Sequence, residues 1–154
     1  NGIMAISSQG IFRIYHKNSL NNSERKSEIP VFINSSAMIC NKNIRTELVN
    51  MEEFLARAKF TKNLFTISLD YATISDRAVF RNRKAGDFIA PKGRGLTKPL
   101  RKLMSEMKIP AEKRDSAILL ADENNILWAE EIGVSEQCCV KNTTQKVLMI
   151  YIDE

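Results

Sequence analysis

Arg81, Arg83, Lys84, Lys92, Arg94, Lys98, Arg101 and Lys102 all fall in one short stretch, RNRKAGDFIAPKGRGLTKPLRKLM. Guanidinium and ammonium groups at this density suit the holding of phosphates or other polyanions. Glycines and prolines are spaced between them. Gly86 suits a turn that needs a positive φ. The glycines of APKGRGL let backbone N–H groups approach an anion closely. The chemistry expected here is the grip of a phosphate backbone.

The charge is local. The chain has 154 residues and a net charge of +5. Residues 1–76 carry a net +2, residues 77–115 a net +8 and residues 116–154 a net −5. A solvated surface usually intersperses both signs, and the middle segment does not. Hydrophobic residues make up 44% and charged residues 27%, a balance normal for a globular chain that can bury a core. No apolar run reaches the ~20 residues that a membrane helix needs. The start, NGIMAISSQG, lacks the pattern of a signal peptide and reads as a tag or a piece of a longer chain. A reducing, cytoplasmic setting fits the three cysteines. Cys40, Cys138 and Cys139 are odd in number, and adjacent cysteines rarely bridge each other. Free thiols are expected.

Little here could break or make covalent bonds. His16 is the single histidine, and no nucleophile and orienting partner stand beside it in sequence. It reads as structural or surface. The chain holds no C-x-x-C pair, no H-E-x-x-H and no G-x-S-x-G, and GRGLTKP matches a phosphate-binding P-loop only loosely. Asp122, Glu123, Glu130 and Glu131 cluster around a hairpin signal and read as solvated acids, with no metal expected. No catalytic residue is assigned.

The elements that must carry the cations follow from periodicity. GIFRIYHK alternates as a strand, and the Asn- and Ser-rich run after it reads as a loop. IPVFI, AMIC, IRTELV and NLFTISLD are β-like. NMEEFLARAK predicts a short helix capped by Asn50. DRAVFRNR predicts a strand, on which Arg81 and Arg83 would share one side. Thr97 to Lys108 predicts a helix capped by Thr97. Leu100, Leu103, Met104 and Met107 make its apolar stripe, and Lys98, Arg101 and Lys102 lie on the other side. IPAEKRD opens a second short helix at Pro110. AILLAD and NILWAEE frame a DENN hairpin turn, and KVLMIYI closes the chain as a buried strand. The fold class expected is α+β: mostly antiparallel, sandwich-like β-sheets with a short basic helical insert.

The run from Ala78 to Glu136 resembles the C-terminal domain of bacterial tRNA(Ile)-lysidine synthase. The resemblance rests on R-x-R-x-x-G-D at Arg81, Arg83, Gly86 and Asp87, and on P-x-G at Pro91 and Gly93. It continues with Thr97, Lys98, Leu100 and Arg101, with Ile109 to Asp115, with Ile126 to Trp128 and with Ser135–Glu136. Leu96 stands where the family commonly has glycine, and Pro99 where it often has a basic residue.

The resemblance implies a tRNA-binding C-terminal domain that engages the acceptor-stem region of tRNA(Ile) with a CAU anticodon. The parent enzyme would use ATP (with Mg) and lysine to convert the wobble cytidine to lysidine, in a separate domain with an S-G-G-x-D-S loop that this sequence lacks. No cofactor is implied for this part. The expected tRNA-binding residues are Arg81, Arg83, Lys84, Lys92, Arg94, Lys98, Arg101, Lys102 and Arg114, with Arg114 either on the RNA or paired internally to Asp87 or Asp115. The expected organisation is a disordered tag or linker over 1–9 and one domain over 10–154, with a β-rich half at 10–76 and the motif half at 77–154. The rival reading is a basic protein-interaction or dimerisation module, a homodimer included, whose cations meet an acidic partner.

Overall fold

The computed structural model describes the backbone of residues 2–8, 11–17, 28–60 and 67–153, and the side chains of 28–60 and 67–153. His16's side chain and most of the Asn- and Ser-rich loop lie outside the described residues. β1 (Gly2–Ser8) pairs antiparallel with β2 (Ile11–Lys17). A strand thus occupies the stretch that reads in sequence as tag or linker.

The remaining strands form two sheets. β3 (Ile29–Pro30), β4 (Ser35–Ile39) and β5 (Lys42–Asn50) lead into helix α1 (Met51–Phe60). β6 (Ile67–Asp70), β7 (Val79–Arg81), β8 (Phe88–Ile89) and β9 (Lys98–Pro99) precede helices α2 (Leu100–Glu106) and α3 (Ala111–Ser116). β10 (Leu119–Asp122), β11 (Asn125–Ala129), β12 (Gly133–Val134) and β13 (Lys146–Asp153) complete the chain. The larger sheet runs β3-β7-β10-β11-β8-β9, with β12 beside β11, and the smaller runs β4-β5-β13-β6. All pairings are antiparallel except β8 with β11. The α+β, mainly antiparallel class read from sequence is the one found.

Period-two alternation sorts the core. Along β13, Leu148 and Ile150 face the core shared by both sheets, while Val147 and Met149 face outward toward Met51 and Phe54 of α1. Along β10, Leu120 joins the shared core while Leu119 and Ala121 pack under α2. β11 carries a register shift opposite Leu120 and Ala121. That irregularity lets Leu127 and Trp128 both enter the shared core. α1 starts as expected: Asn50 Oδ1 accepts from the Glu53 N–H at 2.8 Å.

α2 differs from expectation. It begins at Leu100, not after Thr97. The residue before a proline is driven to extended backbone, so Lys98 stays in β9 and pairs with Ile89. Pro99 itself is extended, at φ −56° and ψ 129°. No side chain caps the helix; the Leu100 N–H instead donates to the Asp87 carbonyl at 2.8 Å. The stripe is as read: Leu100, Leu103 and Met104 are buried, though Met107 is 42% exposed. Truncating Leu103 or Met104 to alanine is expected to cost about 2–5 kcal/mol.

Candidate nucleic-acid interface

The R-x-R-x-x-G-D segment closes on itself. Arg81 donates from both terminal nitrogens to Asp87, at 2.8 and 2.9 Å, and both side chains are 2% exposed. Asp87 also accepts from the Lys84 backbone N–H at 2.7 Å and from Asn124 Nδ2 at 3.2 Å. Arg81 in turn donates to the carbonyls of Asn82 and Glu123. Gly86, at φ +87°, makes the turn between them. Arg81 is therefore corrected from an RNA contact to an internal clamp. It ends β7 at the sheet's buried face and never reaches solvent. The predicted strand DRAVFRNR is correspondingly short, because the chain turns after Arg81 to make this clamp.

Arg83 and Lys84 lie on the outside of the same turn. They line an open cleft of ≈ 880 Å³ together with Arg101 of α2 and the exposed Phe88. Arg83 donates to Asp115 at 2.7 Å, and Lys84 pairs with Glu28. Both pairs involve well-exposed carboxylates. Pairs of this kind are worth about 0–1 kcal/mol, so a phosphate can replace the carboxylate at small cost. The enclosed Nε of Arg83 has no acceptor among the described residues.

Lys98, Lys102 and Arg94 gather around Glu106. Lys98 Nζ donates to it at 2.7 Å. That bond, and then the fields of Lys98, Lys102 and Arg94, hold its carboxyl below the usual range. Lys92, Arg94, Arg101 and Lys102 are exposed and make no ion pair among the described residues. The glycine loop is already occupied by an anion: the Gly93 N–H donates to Glu136 Oε2 at 2.6 Å. Its predicted role as an anion cradle is thus met by the chain's own carboxylate. Ser135 and Glu136 also anchor this loop through Ala90, whose carbonyl accepts from the Glu136 N–H at 2.8 Å. Arg114 pairs with neither Asp87 nor Asp115; it donates to the Ile109 carbonyl and to Ser105 Oγ.

The expected cations therefore divide. Arg81 is internal, and Arg114 braces the two helices. Arg83, Lys84 and Lys98 are weakly engaged, while Lys92, Arg94, Arg101 and Lys102 are open. Residues that sequence reasoning passed over do the positioning: Asn82, Asn124, Glu106 and Glu136. Glu136 alone carried a signal, as part of the matched Ser-Glu pair. Among the described residues, no three His, Cys, Asp or Glu side chains gather as a metal site would require, and no helix is long and apolar enough to cross a membrane. Asp122 and Glu123 pair with Arg77, Glu130 with Lys42 and Glu131 with Lys113.

Residues 79–151, which hold the clamp, the cleft and the glycine loop, match the family model described as the TilS substrate C-terminal domain. This chain belongs to the TilS C-terminal domain family. A tRNA(Ile)-lysidine synthase of Clostridium perfringens (strain 13 / Type A) is 32% identical over 97% of this chain and 33% of its own length. That of Clostridium tetani is 26% identical over 98% of this chain and 32% of its own length. That of Caldanaerobacter subterraneus is 35% identical over 59% of this chain and 20% of its own length. The chain thus spans about a third of the first two relatives. A crystal structure of a TilS C-terminal domain superposes with a TM-score of 0.64 at 19% identity, covering 84% of this chain and 97% of that one. The TilS C-terminal fold therefore extends well beyond the 79–151 match, into the β-rich first half.

Proposed function

We propose that this domain is the tRNA-binding part of a tRNA(Ile)-lysidine synthase, gripping tRNA(Ile) with the CAU anticodon at its acceptor-stem region. The whole enzyme would use ATP with Mg and free lysine, in the cytoplasm, to turn the wobble cytidine into lysidine. No residue of this chain is given a step in that chemistry. The observation that carries the reading is the set of open cations, Lys92, Arg94, Arg101 and Lys102, in a domain whose acids are mostly engaged with its own cations.

An A-form stem has a major groove too deep and narrow for side chains to read, so its phosphates are what a short cationic helix can follow. Phosphate contacts position a substrate without reading its sequence. Binding energy gained far from the reacting base can be spent on orienting it. Arg101 and Lys102 on α2 make the centre of this surface. Arg83 and Lys84 flank one side, and Lys98, Arg94 and Lys92 the other. The test is filter binding of tRNA(Ile) to the full chain across a salt series. Affinity that falls steeply with salt and drops on charge reversal of α2 supports the proposal. Affinity indifferent to both overturns it.

A further inference from the structure

A second cavity, of ≈ 580 Å³, opens beside the glycine loop. Its size is within the range of about 300–1,000 Å³ typical of small-ligand sites. Leu103, Met107, Trp128 and Val134 supply apolar wall. The two charged residues lining it are Lys92 and Arg94, and no carboxylate lines it. Glu136, held to the glycine loop, is engaged by the Gly93 N–H. Arg94 belongs both to this cavity and to the group of cations around Glu106. The cavity is therefore continuous with the cationic surface of α2. Ser68, on the edge strand β6, offers a hydroxyl inside it.

A recess with an apolar wall and, among its lining residues, two cations that make no ion pair among the described residues suits one nucleotide: a base against the wall and its phosphate on the cations. A base held in a duplex cannot enter it, since both its faces are stacked. Resting on the tRNA-binding reading, we infer that this cavity takes one unstacked nucleotide from a single-stranded end of the RNA, while the α2 surface holds the adjoining duplex. Lys92 and Arg94 hold its phosphate, and Met107 closes over the base. The site would measure where the duplex stops.

Trp128 is the sole tryptophan of the sequence and lines the cavity, so its emission reports occupancy. The full chain is titrated with AMP, adenosine and inorganic phosphate, and in parallel with a blunt RNA hairpin and the same hairpin bearing a short 3′ overhang. The expected result is a saturable change in emission with AMP, weaker with either half alone, and an overhang that tightens binding about tenfold. Lys92→Ala with Arg94→Ala should weaken AMP binding. Met107→Trp, at an exposed position, should fill the mouth and abolish the overhang's advantage without altering the blunt hairpin's affinity. Equal affinity for both hairpins, with emission unmoved by AMP, overturns the inference. If both hairpins then still bind with steep salt dependence, the tRNA-binding reading survives. If neither binds, both fall.

Discussion

Arg81 and Asp87 form a two-pronged pair at 2.8 and 2.9 Å, each 2% exposed, inside the turn that sends the chain from β7 toward α2. Two charges so far from water are tolerable only together, because each satisfies what the other would leave bare. Replacing Asp87 by alanine is expected to lower stability by about 3–5 kcal/mol. Replacing both residues with apolar ones of similar volume should cost far less. Urea denaturation of both single variants and the double variant checks this; a double loss equal to the sum of the two single losses would show that the pair is not coupled.

Arg101 and Lys102 are exposed on α2, whose hold on the domain comes from Leu100, Leu103 and Met104. Reversing both to glutamate should leave the melting temperature unchanged and weaken tRNA binding at least about tenfold. Each lost phosphate contact should also reduce the salt slope by about 1. With four open cations, the slope of log K against log salt should lie at about −2.8 to −3.6. A double variant that binds tRNA as the parent does would move the interface elsewhere.

Glu106 stands as a counter-charge among Lys98, Lys102 and Arg94. Glu106→Gln frees Lys98 while keeping a similar shape. tRNA affinity should rise a few-fold at low salt, and the salt slope should steepen. Weaker binding in this variant would mean that the carboxylate orders the lysine for RNA instead of competing with it.

Glu47 accepts both prongs of Arg57 at 2.8 and 2.9 Å, and this bonding holds its carboxyl below the ordinary range. A folded-state pKa below the unfolded one gives stability that is complete above the unfolded value, about 4.3 for glutamate. That stability is lost as pH falls through the folded value. The stability gap between the parent and Glu47→Gln should therefore be constant near neutrality and shrink below about pH 4. Chemical denaturation at a series of pH values reads it directly. A gap that widened with acid would reverse the sign of the linkage.

Among the thiols, burial pushes Cys138 and Cys139 up, while Cys40 is exposed and donates to Asn82 Oδ1. A thiol reagent at pH 8 should label Cys40 quickly and Cys138 only on unfolding. Mass mapping of the labelled peptides decides the order. Rapid labelling of Cys138 would show that the shared core opens under native conditions.

Periodicity made most of the sheets legible, because each alternating run has one face to bury. KVLMIYI reads as a core strand, and Leu148 and Ile150 against Val147 and Met149 bear that out. The α2 stripe was legible for the same reason. Its start was not, because Thr97 looks like a cap until the restriction imposed by Pro99 is weighed against strand pairing. The site was half legible. Local charge density marks the surface but cannot tell Arg81 from Arg101. Only the fold brings Asp87 back under Arg81 and leaves Arg101 facing water. Glu136 beside Gly93 was equally hidden, being a contact between distant parts of the chain.

The first residue of α2 hangs from the backbone oxygen of Asp87, and the Asp87 side chain is gripped from β7. A tug on the helix is thus handed to β7 of the larger sheet through two short links. The domain should behave as a stiff bracket under load, yielding at its outer strands while the angle between helix and sheet holds.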